Sequence, residues 1–138
     1  MTVLVAVTDD GMQEAVVDTG VGLGRALEEE LYVVYLTEAE TASAAAREMR
    51  NELRADLESR DVPFSVGIEH VQHVTPRSSR AVGRQLADIA SDVAISHVVV
   101  GHRSKAFLGR LVTGDVAFTL AETAEVPVTV VPDPLAGE

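Results

Sequence analysis

The feature of this chain that most restricts its fold is a regular alternation of short apolar runs with longer amphipathic stretches. Runs of four to eight residues rich in Val, Ile and Leu are typical of buried β-strands. Apolar residues that recur at spacings of three and four are typical of helices with one buried face. The runs that predict strands cover residues 2–7, 31–36, 63–71, 97–100 and 126–131.

The stretches between the runs predict four helices: residues 12–27, 38 to about 60, a segment after Pro76, and a segment from residue 114 to Thr123. Strands that are apolar throughout and alternate with helices predict a parallel sheet covered on both faces. Right-handed crossovers then favour a doubly wound open sheet of five strands. Because no repeat or linker interrupts the pattern, we expect one α/β domain over residues 1–138.

The composition removes several classes of function. The chain has no Cys, which excludes disulfides, thiolate nucleophiles, zinc sites built on Cys and iron–sulfur clusters. No apolar run approaches the roughly 18 residues that span a bilayer, and the first residues lack the basic segment of a signal peptide. We therefore expect a cytoplasmic protein with no membrane partner.

The charge balance is strongly acidic, with 22 Asp and Glu against 11 Lys and Arg, and a net charge of −11. Ten of the 11 bases are Arg, and this Lys-poor, acidic composition favours a halophilic protein over an acidic mesophilic one. A nucleic-acid partner is not expected for such a chain. Six bases nevertheless lie between Arg77 and Arg110, so a small local anion site remains open.

The connection after the fourth predicted strand is about twice the usual length. In doubly wound sheets ligands bind beyond the carboxyl ends of the strands, where the winding reverses. Gly101 and Gly114 flank this connection, and glycine lets backbone N–H groups approach a bound anion closely. Arg103, Lys105 and Arg110 add positive charge. A surface loop that only closes the sheet explains the same residues, and both interpretations stay open.

The chain resembles the universal stress protein family over essentially its whole length, and the loop between Gly101 and Gly114 contains the motif that carries the resemblance. That family has the motif G-x2-G-x9-G followed by Ser or Thr. Gly101 matches the first glycine, Ser104 stands at the second, and nine residues separate it from Gly114. Asp115 stands at the Ser or Thr position, followed by the apolar Val116. The resemblance implies the layering of adenine nucleotide alpha hydrolase-like and flavodoxin-like domains.

The resemblance also implies a nucleotide site at the carboxyl edge of the sheet. Nucleotide-binding members have an Asp at the end of the first strand, where this chain has Thr8 followed by Asp9. Leu36 takes the place of the residue that packs on adenine. Ser104 and Asp115 depart from the family pattern, which implies weakened ribose and phosphate contacts. The implied site residues are Thr8, Asp9, Leu36, Val100, Gly101, Ser104, Gly114, Asp115 and Val116.

Three functions follow as hypotheses. The first is a non-enzymatic stress-response regulatory domain, which the resemblance implies is a homodimer through the last strand. The second is a switch that binds ATP or AMP, with Mg²⁺ as a bridging ion. The third, a flavodoxin-like electron carrier, is disfavoured because the first strand–helix loop lacks a Ser/Thr-rich phosphate nest. No Ser has a placed His–Asp partner in the sequence, so we expect no catalytic residues.

Two further patterns predict structure rather than ligand binding. The glycines at 20, 22 and 24 suggest a dinucleotide motif, but they lie about twelve residues after the strand, inside a helix. They predict close packing of that helix against a neighbour. His70 and His73 are three apart on a predicted strand and face opposite sides, so no metal site is expected.

Overall fold

The computed structural model describes residues 1–8, 12–37, 43–70, 84–90, 94–102 and 120–132. Within these ranges every predicted strand forms, because each apolar run buries side chains against a helical layer. Residues 84–90 and 120–123 are helical as well. In chain order the elements are β1 (Thr2–Val7), α1 (Gln13–Leu27), β2 (Glu30–Thr37), α2 (Ala44–Glu58), β3 (Phe64–His70), β4 (Ile95–His102) and β5 (Val128–Pro132).

The five strands form one parallel sheet in the order β3-β2-β1-β4-β5. The chain moves from β1 outward to β3, and then returns to place β4 on the other side of β1. The winding therefore reverses between β1 and β4, where Ala6 lies opposite Val100. This arrangement confirms the predicted doubly wound open sheet of five strands.

Two apolar layers cover the sheet, one on each face. The layer on the first face joins α1 and α2 to alternate strand residues such as Val5, Val33 and Val99. The layer on the second face joins Leu86 and Leu120 to the strand residues in between, such as Leu4 and Val98. Since both faces are buried, the central strands β1, β2 and β4 read as largely continuous apolar runs, whereas the end strand β3 partly alternates between apolar and polar residues.

The glycines of α1 confirm the predicted helix packing at two of three positions. A Cβ at Gly20 would lie 2.6 Å from Val5 Cγ2, and one at Gly24 would lie 2.8 Å from Leu31 Cδ2. These two positions let α1 lie close to β1 and β2. At Gly22 a Cβ would meet nothing within 4 Å, so packing does not explain that glycine.

Several element boundaries differ from the sequence prediction. Helix α2 begins at Ala44 rather than residue 38, because Ser43 is its N-cap and its Oγ accepts the Ala46 N–H at 3.1 Å. Strand β5 begins at Val128 rather than residue 126, since Pro127 has no N–H and contributes only its carbonyl, which accepts the Val98 N–H at 3.0 Å. It also includes Pro132, which the sequence placed just after the strand.

Candidate functional site

Four of the nine predicted site residues lie together at the carboxyl edge of the sheet. Thr8 directly follows β1, Leu36 is near the end of β2, and Val100 and Gly101 are near the end of β4. The other predicted residues are outside the ranges that the structure describes: Asp9, Ser104, Gly114, Asp115 and Val116.

Strand register brings these residues to the point where the winding reverses. Ala6 of β1 is opposite Val100 of β4, and Val7 of β1 is opposite Tyr35 of β2. Ala6, Leu36 and Val100 belong to the same apolar layer, so they share one face of the sheet. Each is only 3% exposed, so these side chains belong to the packed core beneath the edge.

Thr8 is a buried polar residue at this edge. It is 9% exposed, and its Oγ1 is buried without a hydrogen-bond partner among the residues the structure describes. A hydroxyl can donate one hydrogen bond and accept others, and leaving it unpaired in a buried position costs about 1–3 kcal/mol. Thr8 thus supplies an unused donor and acceptor at the end of β1.

Thr37 is a second buried polar residue at the same edge, and the sequence analysis did not single it out. It closes β2, is 9% exposed and takes part in a polar interaction. The available signal was a Thr directly after an apolar strand, which is the same signal that marked Thr8.

Gly101 has a packing role that the sequence could not reveal. A Cβ at this position would lie 3.1 Å from Val16 Cγ2 and 3.3 Å from Met12 Cε. Gly101 is also part of β4, opposite Val131, rather than the first residue of a loop. The glycine therefore lets the first turn of α1 lie directly against the end of β4. This contact sets the position of α1 above the candidate site.

The described residues line two cavities, and neither lining includes Thr8, Leu36, Val100 or Gly101. One of about 470 Å³ lies between α1 and α2, and one of about 640 Å³ lies at the amino edge of the sheet beside Met1 and Ile95. Within the described ranges no three His, Asp or Glu side chains are grouped to hold a metal ion. In those same ranges no helix has the length and apolar character needed to cross a membrane.

These features define a doubly wound α/β domain in which four of the predicted site residues lie near the reversal point of a parallel sheet. The chain belongs to the universal stress protein family, whose family model matches residues 1–132. A comparison with curated protein sequences finds no match.

Solved structures of universal stress proteins share this fold over almost their whole length. One from Archaeoglobus fulgidus is 20% identical with a TM-score of 0.69, covering 95% of this chain and 98% of its own. A universal stress protein from Archaeoglobus fulgidus in complex with dAMP is 18% identical with a TM-score of 0.66, covering 95% and 97%. A third, in complex with cAMP, is 16% identical with a TM-score of 0.67 and covers 96% of each chain. At these identities the likeness concerns the fold.

Proposed function

We propose that this chain is a non-enzymatic, stress-linked regulatory domain that binds the adenosine part of an adenine nucleotide at the carboxyl edge of β1 and β4. The observation that carries the proposal is the buried Thr8 hydroxyl at the reversal point of the sheet, which has no hydrogen-bond partner among the described residues. The structural neighbours with dAMP and with cAMP give a precedent for adenine ligands on this fold. The proposal assigns no reaction to the domain.

The chemistry of the edge suits a nucleoside. Leu36 and Val100 are apolar core residues on one face of the sheet, each 3% exposed, and the proposal places the purine ring over the end of the sheet beside them. The Thr8 hydroxyl can bond a ribose hydroxyl or a ring nitrogen, since it both donates and accepts. Nucleotide-binding members have a negatively charged Asp at this position. Thr8 is uncharged, so it can form a hydrogen bond here without bringing a negative charge to the site.

The phosphate side of the site is the weaker half in this proposal. Asp115 stands where the family motif has Ser or Thr, and an ionised carboxylate cannot donate a hydrogen bond to phosphate. Ser104 replaces a motif glycine and adds a Cβ where the backbone would approach the ligand. We therefore propose that AMP binds about as tightly as ATP, and that Mg²⁺ bridging Asp115 and phosphate is the only route to a strong ATP complex.

The second element of the proposal is a homodimer through β5. This strand is at one end of the sheet, and an uncovered strand edge leaves N–H and C=O groups without partners. Val130 is 43% exposed and is one of three large apolar residues that are exposed to solvent in the described ranges. Pairing β5 with a second copy would cover both the edge and this side chain.

Calorimetry with adenosine, AMP and ATP, each with and without Mg²⁺, tests the proposed function. We expect AMP and ATP to bind within about threefold of each other. The double variant Ser104→Gly with Asp115→Ser should gain about 30- to 1,000-fold for ATP, which corresponds to the restored donor and closer approach. ATP binding to the wild type that is already 100-fold tighter than AMP contradicts the weak phosphate side. No binding of any of the three ligands contradicts the nucleotide site.

A further inference from the structure

Helix α2 separates its charges into two rows. Arg47, Arg50 and Arg54 are spaced by three and four, and they are three of the five bases among residues 1–69. With 3.6 residues per turn this spacing places them along one side of the helix. The acids at 48, 52 and 56 form a second row, while Glu58 lies on the arginine side, four residues after Arg54. Like charges at these spacings oppose helix formation, so helix stability alone does not account for the arrangement.

The arginine row lies on the side of α2 that faces away from α1. Leu53 and Leu57 are buried against the sheet, while Glu52 and Asp56 line the groove toward α1. The arginines are on the opposite side of the buried row. Helix α1 packs mainly on β1 and α2 mainly on β3, which is the end strand of the sheet. The arginine side of α2 therefore faces the outer edge of the sheet, beyond β3.

Arg50 has a buried donor without an acceptor. Its Nε is buried and has no hydrogen-bond partner among the described residues, although the rest of the side chain is half-buried. Arg54, one turn further along, is exposed. A guanidinium donor that is removed from water without a partner is unfavourable. Carboxylate groups are the geometric match for guanidinium.

No described strand pairs with the outer edge of β3, so within the described ranges its backbone groups are open to another strand. The Leu31 N–H donates to the Pro63 carbonyl at 2.9 Å, and Leu31 is opposite Phe64. In a parallel ladder the backbone N–H groups of successive residues point to alternate sides of the strand. This bond therefore places the N–H groups of residues 65, 67 and 69 toward β2. The amides of residues 64, 66, 68 and 70 therefore point away from the sheet.

The two end strands of the sheet differ in how they are protected. Strand β3 has seven residues and contains no proline. Both strands follow a proline, Pro63 and Pro127, but β5 has only five residues and ends in Pro132. Proline and short length both limit how far a ladder can extend along a strand edge. The β3 edge is thus the longer uninterrupted template for an added strand.

We propose that the β3 edge and the arginine row of α2 together bind an extended acidic segment of a partner protein, which adds as a sixth strand. Such a strand lies about 4.8 Å from β3, and every second side chain faces α2 at intervals of about 6.6–6.8 Å. Arg47 to Arg54 spans about 10.5 Å along the helix axis, which matches two or three alternate carboxylates. On the other face Glu69, hydrogen-bonded to Gln85, repels acids. The segment therefore alternates acidic with uncharged residues.

Peptide binding to the full chain tests this site by fluorescence anisotropy at low salt. The probe is a nine-residue peptide with Glu at alternate positions, compared with a peptide of the same composition whose Glu residues form one block. Arg50→Gln with Arg54→Gln should weaken binding of the alternating peptide about tenfold. Arg84→Gln, which removes an exposed arginine from the opposite layer, should change it less than twofold.

Hydrogen exchange distinguishes strand addition from simple charge attraction. The alternating peptide should slow exchange of the amides at 64, 66, 68 and 70 and leave those at 65, 67 and 69 unchanged. An alternating peptide with N-methyl groups along one edge should lose this protection. Equal binding of the block peptide, equal loss with Arg84→Gln, protection elsewhere, or tighter binding of a single-stranded oligonucleotide would each overturn the proposal.

Discussion

Gly20 of α1 lies directly over Val5 of β1, so that a Cβ added to the glycine would come within 2.6 Å of Val5 Cγ2. Real Cβ atoms do not approach other atoms this closely, and β1 is at the centre of the sheet. The distance between α1 and the strand that ends at the candidate site therefore depends on this missing side chain.

Gly20→Ala should destabilise the domain, and Gly22→Ala should stabilise it. Overpacking of a buried contact costs about 1–3 kcal/mol, whereas alanine at an open position in a helix gains about 0.4–1 kcal/mol. Position 22 has nothing within 4 Å of an added Cβ, so it serves as the matched control. Urea denaturation measures both free energies of unfolding. If both variants shift the midpoint in the same direction, the packing argument is wrong.

Thr8→Val should raise stability and lower nucleotide affinity. Valine has the shape of threonine without the hydroxyl, so the free protein should gain about 1–3 kcal/mol when a buried unpaired group is removed. The same change should weaken AMP binding by about tenfold, because the ligand loses a hydrogen bond. Thermal melts and calorimetry give the two quantities. A loss of stability would indicate that the hydroxyl already has a partner within the protein.

Tyr32 should make the domain sensitive to alkaline pH. Burial raises the pKa of Tyr32 above its usual value of 10.0, and the nearby carboxylate of Glu69 raises it further. The folded state therefore holds the phenol proton more tightly than the unfolded state. This contribution is fully present below about pH 10 and is lost as the pH rises through the folded pKa.

The measurement is the free energy of unfolding between pH 8 and 11. Tyr32→Phe should decline less steeply above pH 10 than the wild type, and Glu69→Gln should lie between the two. Identical slopes for wild type and Tyr32→Phe would mean that this tyrosine does not control the alkaline limb.

Arg60 joins α1 to α2, and its removal should have a modest, salt-dependent effect. Its guanidinium contacts Asp18 of α1 and lies 3.1 Å from Asp56 of α2. Hydrogen bonds to Asp18 and Asp56 raise the pKa of Arg60, so it is charged throughout the accessible pH range. Since these groups are partly exposed, Arg60→Gln should cost about 0.5–1 kcal/mol at 0.1 M salt and less at 1 M. An effect that does not change with salt would point to packing instead.

Val130→Asp should dissociate the proposed homodimer. Light scattering of the wild type should give twice 14.7 kDa, and the variant should give the monomer mass. Leu27→Asp is the control, because Leu27 is exposed to a similar degree, 40% against 43%, but lies at the end of α1. A wild-type monomer, or loss of the dimer in the control alone, would contradict pairing through β5.

The order of the elements could be predicted because it depends on local patterns. Apolar runs of strand length and a three-and-four spacing of apolar residues persist in the sequence whatever the final packing. The exact ends of the elements could not be read in this way. Helix α2 begins later than predicted because Ser43 caps its N-terminus, and β5 begins later than predicted because Pro127 has no N–H. Both boundaries depend on single backbone hydrogen bonds.

The candidate site also has features that the sequence predicts and features that only the structure shows. The sequence by itself determined that Thr8, Leu36 and Gly101 lie near strand ends, because each closes or directly follows an apolar run, and parallel strands place such ends at one edge. Only the tertiary structure decided that the Thr8 hydroxyl is buried without a partner among the described residues, and that Gly101 makes room for Met12 and Val16. The reason is physical: burial and close approach arise between segments that are far apart in the chain, and no local pattern encodes the distance between them.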